Sequence, residues 1–397
     1  MRYLVFIVFL LLCSSGIQAH EPDTINAKSH YRKSLTVGYQ FGKVIHTHAF
    51  VKGDNPNGTS YQNFQAFSAQ YGINTDGRKL WQQLYGYPVW GFGIFKGYLL
   101  GDDGLLGNPT AIYAYFRAPF KRWEKWVLEY EVDFGLATNW NSHDIIEKGY
   151  YYPIGSYSTA FFAFSFGAGF QIDRQLDIST RFSATHFSNG AIRLPNLGIN
   201  LASAQLSLHY IFRERPVFKS SEVPKYQDNW EWIMLIAPAV KQKAADYNIN
   251  DSTIAAKSFS YPVVTLSSTV NRQFTHMIKF GAGIDITYNA TYGAEIIMVD
   301  NEPQKGDPLP FTDQLLVGVY PSFELVVNDL SMVVQSGFYI YRKDIEDLES
   351  PYSYQRLGIK YHILKRMFLG VNVRAYDFKK ADFVEWVVGY RLRWRNN

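Results

Sequence analysis

Hydrophobic and polar residues alternate along most of this chain with a period of two. The last segment shows it clearly, with one parity holding Val384, Trp386, Val388, Tyr390, Leu392 and Trp394 and the other holding Glu385, Gly389, Arg391 and Arg393. Since successive side chains of a strand point to opposite faces, this pattern predicts β-strands with one apolar and one polar face. A soluble β-sandwich alternates in the same way, so parity alone does not choose between a sandwich and a membrane barrel.

The lengths of the connections supply a second signal. We predict about sixteen strands from residue 33 to residue 394, the seventh at 176–188. Tight connections at 121–124, 173–175 and 328–329 contrast with long, polar ones. The long connections are 51–61, 139–155, 244–256, 291–309 and 343–352. Short turns mostly at one end and long loops mostly at the other are typical of outer-membrane β-barrels.

Two connections depart from this scheme. Residues 75–87 are expected to include a short helix, and residues 214–229 divide the chain into eight-strand regions at 31–213 and 230–397. The favoured fold is all-β, one antiparallel transmembrane β-barrel of about sixteen strands, because closure removes the strand edges that lipid cannot satisfy. Two tandem eight-stranded barrels are the alternative.

Composition narrows the setting of this barrel. Residues 1–19 combine one Arg, an apolar core and a small-residue end at Ala19, which predicts a secretory signal peptide and a location in the bacterial outer membrane. Later segments fall well short of the roughly 18 apolar residues of a membrane helix. Cys13 is the only cysteine, so disulfides are excluded from the mature chain. A net charge of +4 argues against nucleic acid as a partner.

The stretch ATHFSNGAIRLPNLGIN, residues 184–200, carries the candidate chemistry. His186 and Ser188 continue the parity of Phe182 and Ala184, which is the lipid-facing one, and polar groups there indicate a functional site. If the hairpin is symmetric about Leu194, Asn200 lies opposite Ser188. We therefore expect His186, Ser188 and Asn200 to form one hydrogen-bond network at the outer rim.

This stretch resembles the lipid A 3-O-deacylases, eight-stranded outer-membrane esterases whose relatives are called acyloxyacyl hydrolases. The resemblance rests on the eight-strand region up to about residue 213 and on a motif of His186, Ser188, Asn189, Gly190, Pro195, Asn196 and Gly198. We identify no resemblance in the second half of the chain.

The resemblance implies Ser188 as the nucleophile, His186 as the general base, Asn189 as an oxyanion donor and Asn196 as a supporting residue. Where the family has a glutamate as the third member of the triad, this sequence has Asn200. An asparagine can orient the imidazole but supplies no charge to an imidazolium. The third partner is thus either Asn200 or a carboxylate elsewhere.

The function expected from these residues is release of ester-linked acyl chains from lipid A or a similar glycolipid. Arg193 is a candidate for binding a lipid phosphate. No cofactor or metal is implied, and the oligomeric state stays open. The rival hypothesis is a non-catalytic barrel, either a porin-like channel or a structural barrel whose site has decayed.

Three other patterns in the sequence have simpler structural explanations. His46 and His48 have spacing that suits a metal, but rim histidines are the preferred interpretation. The glycines of residues 91–97 fit a crowded barrel wall better than a dinucleotide site. The row formed by Glu129, Glu131 and Asp133 is expected to face the lumen, with one member reaching the site as the alternative.

Overall fold

The computed structural model describes residues 32–101, 104–142, 152–250, 253–343, 351–377 and 380–394. The predicted signal peptide at residues 1–19 lies outside these described residues. Within them, none of the helices has the length and apolarity to cross a membrane.

The first half of the chain forms a closed antiparallel barrel, the first barrel. Its strands are β1 (Arg32–Val44), β2 (Asn63–Asn74), β3 (Val89–Leu100), β4 (Gly107–Arg122), β5 (Trp126–Trp140), β6 (Thr159–Gln171), β7 (Leu176–Ser188) and β8 (Ile199–Ile211). Each strand pairs with the next, and β8 returns to β1 with Ser34 opposite Ile211 and Val44 opposite Leu201. Two short helices lie in the connections, α1 (Ala49–Lys52) and α2 (Leu80–Leu84). The helix expected in the connection at 75–87 is therefore confirmed.

The second half forms another closed barrel, the second barrel. Its strands are β9 (Asn229–Asn250), β10 (Thr253–Gln273), β11 (Ile278–Asn289), β14 (Leu315–Val327), β15 (Leu330–Tyr341), β16 (Ser353–His362), β17 (Met367–Tyr376) and β18 (Lys380–Trp394). A small hairpin of β12 (Ile296–Val299) and β13 (Glu302–Lys305) and a 3₁₀ helix at Phe311–Gln314 interrupt the β11–β14 connection.

The predicted all-β fold and its sixteen barrel strands are confirmed, and the strands close in the arrangement given as the alternative. Because β8 pairs back to β1 and β18 pairs back to β9, each set of eight is complete on its own. The loop expected at 244–256 was wrong. There the ladder between β9 and β10 continues almost to the hairpin tip, from Gln273 opposite Asn229 to Thr253 opposite Asn250.

The first barrel is apolar outside and polar inside. Outward residues such as Phe182 and Leu206 are exposed, as a wall in contact with lipid requires. Inside, Arg117 Nε lies 2.5 Å from Glu131 Oε2 and Arg181 Nη1 lies 3.0 Å from Glu129 Oε1. The acidic row on β5 therefore faces the lumen, as predicted, and two of its members, Glu129 and Glu131, pair with arginines from β4 and β7.

The interior of the second barrel is also filled by ion pairs. In one cluster, Lys279 Nζ lies 2.7 Å from Glu231 Oε2 and 3.0 Å from Glu324 Oε1. A second cluster contains Arg356, whose Nε lies 2.8 Å from Glu385 Oε2 and whose Nη2 lies 2.9 Å from Asp285 Oδ2. Buried charges need such pairing because burial removes their hydration.

An aromatic cluster fills the first barrel where β7 ends. The Phe187 ring lies 5.5 Å from that of Phe161, 6.1 Å from that of Phe95 and 5.1 Å from that of Trp140. Phe187 points inward between His186 and Ser188, so its packing fixes the backbone that carries both candidate residues. His186 and Ser188 therefore lie on a rigid strand end.

Candidate functional site

His186 and Asn200 are directly paired residues of β7 and β8, with the imidazole exposed on the outward face. The distance from His186 Nδ1 to Asn200 Oδ1 is 2.6 Å. Since an amide oxygen only accepts, Nδ1 carries the hydrogen, and Nε2 keeps a lone pair that can receive a proton. This is the tautomer that a general base of a serine hydrolase requires.

The register of this hairpin differs from the expected one. Asn200 lies opposite His186 rather than Ser188, and Ser188 pairs with Ala160 on β6. The connection therefore turns about Arg193 instead of Leu194, because the last pair of the ladder is Phe187 with Ile199. The observed register brings Asn200 closer to the imidazole of His186 than the hairpin expected to turn about Leu194 would.

Ser188 is the last residue of β7, and the connection at 189–198 folds back over it. Its side chain is buried, in contrast with the exposed position expected from parity. The Oγ atom lies 2.9 Å from Asn196 Nδ2 and 3.1 Å from Asn196 Oδ1, and it accepts the Gly190 N–H at 3.1 Å. Among the residues that the structure describes, no hydrogen bond joins Ser188 to His186.

Asn189 organises the same connection. Its side-chain Nδ2 donates to Ser156 Oγ at 3.1 Å and to the Arg193 carbonyl at 2.6 Å, while its backbone N–H donates to Asn196 Oδ1 at 3.0 Å. Both side-chain hydrogens are therefore engaged within the protein. Arg193 itself is exposed in this connection.

The connection between β1 and β2 supports the site from the other side. Asn200 Nδ2 donates to Thr47 Oγ1 at 3.4 Å, and His48 Nε2 donates to the Gly198 carbonyl at 3.1 Å. Burial lowers the pKa of His48 below its usual value, although the bond to Gly198 opposes this effect, so neutral His48 is favoured. Sequence reasoning missed both roles, because the contacts span about 150 residues and depend on the closure of β8 onto β1.

His46 and His48 each engage a backbone carbonyl. His46 Nε2 lies 2.8 Å from the carbonyl of Tyr61, and His48 binds Gly198. Among the described residues, no group of three or more His, Cys, Asp or Glu side chains forms a metal-binding arrangement. Their observed role is to hold the loops around the site.

An apolar groove runs down the outer wall next to His186 and Asn200. Its volume is about 480 Å³, and it is lined by Gly42, Lys43, Ile45, Phe164, Phe166, Phe182, Ser183, Ala184, Ala202, Ser203 and Ala204. Ala184 and Ala202 are a directly opposed pair, two positions from His186 and from Asn200 along their strands. The small alanine side chains between larger aromatic ones create the depression. Its shape and apolarity suit a hydrocarbon chain.

Two closed barrels with outward apolar faces define this chain as a membrane β-barrel protein. A family model described as lipid A 3-O-deacylase (PagL) matches residues 65–209, and one described as acyloxyacyl hydrolase, C-terminal domain, matches residues 230–394. The first half of the chain is therefore similar to the lipid A 3-O-deacylases over the residues that this model matches. The second half, in which we identified no resemblance, is matched as well.

Solved structures are similar only distantly. The outer membrane enzyme PagL is 17% identical, with 43% of this chain and 97% of that chain covered and a TM-score of 0.29. The toluene transporter TbuX of Ralstonia pickettii is 10% identical over 93% and 90%, with a TM-score of 0.20. The translocator domain of autotransporter NalP from Neisseria meningitidis is 8% identical over 100% and 96%, with a TM-score of 0.21. Similarity at this level carries no argument about activity. No curated protein matches the chain.

Proposed function

We propose that this protein is an outer-membrane serine esterase that releases ester-linked acyl chains from lipid A or a related glycolipid of the outer leaflet. The match of residues 65–209 to the lipid A 3-O-deacylase family model supports hydrolysis of such lipids. The observation that carries the proposal is the outward-facing His186–Asn200 pair above an apolar groove, with Ser188 two residues away on the same strand. A signal peptide at residues 1–19 and export to the outer membrane are part of this proposal.

The reaction begins when the Ser188 hydroxyl turns from Asn196 to His186 and gives its proton to Nε2. The serine oxygen then forms a bond to the ester carbonyl carbon, and the carbonyl oxygen gains the negative charge. The Gly190 N–H and Asn196 Nδ2 are donors that already meet at Ser188 Oγ, so they are the nearest groups to stabilise that charge. Collapse expels the lipid hydroxyl, which takes the proton back from His186.

Water completes the cycle by attacking the acyl-serine. His186 accepts a proton from that water, the fatty acid leaves, and Ser188 regains its hydrogen. Asn200 orients the imidazole through Nδ1 without contributing charge. Asn189, expected as an oxyanion donor, is assigned a positioning role because its N–H groups hold Asn196 and the Arg193 carbonyl. The exposed Arg193 side chain is assigned to a lipid phosphate.

The test is fatty-acid release from purified lipid A, analysed by mass spectrometry, with wild-type protein and Ser188→Ala. We expect Ser188→Ala to abolish release, because the nucleophile is absent, while the barrel keeps its heat-modifiable mobility in SDS gels. Ser179→Ala removes a buried, inward-facing hydroxyl of the same strand and serves as the matched control, with release unchanged. Release that survives in Ser188→Ala would remove Ser188 as the nucleophile.

A second candidate function is a structural barrel with a decayed site. It is favoured by Asn200 in place of an acid and by the bond of Ser188 to Asn196 instead of His186. The same assay separates the two, since a decayed site releases no fatty acid even in the wild type. The alternative of a porin-like channel is disfavoured, because eight-stranded barrels have narrow interiors and the interiors of both barrels are filled by side chains. Planar bilayer recordings of wild-type protein test this directly through stepwise conductance.

A further inference from the structure

The connection that covers Ser188 also contacts the second barrel. The backbone N–H of Leu194 donates to Gln242 Oε1 of β9 at 3.0 Å. Gly190 lies against β18, where a Cβ added at position 190 would be 2.4 Å from Val384 Cγ2. The connection is therefore held by groups from both halves of the chain.

Gln242 is an unusual residue for its place on β9. It continues the outward parity of Ile236 and Val240, which are exposed apolar residues of the barrel wall. A polar side chain in such a row is costly in contact with lipid unless its amide finds partners. Gln242 finds them, because Nε2 donates to Ser260 Oγ at 3.4 Å and Oε1 is left to accept from Leu194.

The position of Leu194 makes this contact relevant to Ser188. The preceding residue, Arg193, supplies the carbonyl that accepts from Asn189, and Asn196 two residues later contacts Ser188 Oγ. A hydrogen bond at Leu194 thus lies between the two contacts that shape the surroundings of the hydroxyl. Losing it would free the middle of the connection.

We propose that the second barrel braces the connection at 189–198, hereafter the active-site connection. Gln242 is the residue of the second barrel that positions it. This inference rests on the proposed esterase function for its catalytic consequence. Gln242 touches no reacting atom and acts through Leu194, by holding Asn196 beside Ser188, where its Nδ2 can donate to the oxyanion. The second half of the chain thereby gains a role in the chemistry of the first.

The test compares Gln242→Ala with Gln242→Glu in the full-length protein in lipid. A net hydrogen-bond contribution of about 1 kcal/mol corresponds to about fivefold. We therefore expect Gln242→Ala to lower kcat for lipid A about fivefold with KM little changed, and to speed hydrogen–deuterium exchange of the Leu194 amide to a similar extent. Gln242→Glu keeps an acceptor oxygen and should retain both properties. Val240→Ala, on the same strand and face, is the control without effect.

The two readouts separate this inference from the proposed function. If the wild type releases no fatty acid, the esterase proposal fails, while the exchange rate at Leu194 still reports on the brace. If exchange at Leu194 is the same in wild type and Gln242→Ala, the brace is overturned whatever the activity. A loss of kcat that Gln242→Glu does not restore would equally contradict the role of the acceptor oxygen.

Discussion

Asn200 has only one accepting atom where a carboxylate has two. Its Oδ1 faces His186, and this orientation is the one that keeps the hydrogen on Nδ1. A flipped amide would present donors to Nδ1 and force the hydrogen onto Nε2, which would then be unable to take the serine proton. Thr47 Oγ1 accepts from Asn200 Nδ2 and therefore favours the productive orientation.

This dependence predicts a specific interaction between two substitutions. Thr47→Val should lower fatty-acid release about fivefold, the effect of one hydrogen bond, whereas Thr47→Ser should retain activity. In an Asn200→Asp background the same Thr47→Val change should have little effect, because either carboxylate oxygen can accept from Nδ1. Release rates of the four proteins of this cycle, measured with one lipid A preparation, provide the coupling directly.

Two single substitutions complete the prediction for Asn200. Asn200→Ala should reduce release about tenfold or more through loss of ring orientation, and Asn200→Glu should preserve or raise it by adding charge. If neither change matters, the third partner of His186 lies elsewhere. Equal effects of Thr47→Val in both backgrounds would show that Thr47 does not act through the amide.

At this scale, parity in the sequence was sufficient to predict that His186 and Asn200 face outward, but the register assumed for the hairpin placed Asn200 opposite Ser188 instead of His186. The burial of Ser188 was not predictable, because it depends on how the connection folds after the strand has ended. Thr47 was equally hidden, since it reaches Asn200 only through the pairing of β8 with β1. The local alternation of residues thus predicted the site residues that lie on strands. It missed the contacts that form only when β8 pairs with β1 or when a connection folds over the strand end.

At the scale of elements, the strands of the wall were predictable because each must alternate between lipid and lumen. The predicted seventh strand at 176–188 coincides with β7. The upper parts of β9 and β10 were mistaken for a loop, because Asp246 stands on the outward parity of β9 and asparagines follow it in the sequence. Their backbones still pair, and backbone hydrogen bonding leaves no trace in hydropathy.

The groove formed by β7 and β8 leads to a prediction about chain length. Ala202→Phe should fill the groove below Asn200 and displace part of a bound acyl chain. Excluding two methylene groups costs about 1.6 kcal/mol, or a KM increase of roughly tenfold for long-chain esters. Hydrolysis of a short, soluble ester should change far less, because it does not need the groove.

Leu206→Phe is the matched control for this substitution. Leu206 is an exposed residue on the same face of β8 that does not line the groove, so its replacement should leave both substrates unaffected. Equal losses on long and short esters with Ala202→Phe would indicate damage to the His186–Asn200 pair instead of a filled groove.

At the scale of the whole molecule, the number of barrels was not decided by the sequence. Sixteen alternating strands are compatible with one closure or two, because outward and inward parity look the same in both. The choice depends on whether β8 pairs with β1 or with β9, a contact between distant residues. The connection at 214–229 marked the division between the halves but did not reveal that each one closes.

The separate closure of the second barrel predicts where its stability resides. Glu385 is fully buried and is shared by Arg356, at 2.8 Å from Nε to Oε2, and Arg374, at 3.7 Å from Nη1 to Oε1. Glu385→Gln keeps the shape but leaves two buried guanidinium groups with Asp285 as their remaining carboxylate. Removing one partner of a buried ion pair costs on the order of 3 to 5 kcal/mol. Asp228→Asn, which breaks an exposed pair with Arg272, should cost at most about 1 kcal/mol.

The measurement is thermal unfolding in detergent, followed by gel mobility after limited proteolysis in the connection between the barrels. Strands β1 to β8 close into a barrel without the second barrel. In the Glu385→Gln variant, the fragment containing β1 to β8 should therefore keep the gel mobility of a folded barrel at temperatures where the second-barrel fragment already migrates as unfolded protein. The Leu194–Gln242 contact should weaken in the same variant, since β9 and β18 pair directly and both border the active-site connection. Simultaneous loss of both barrels at one temperature would instead indicate a single cooperative unit, in which the second barrel stabilises the first as a whole.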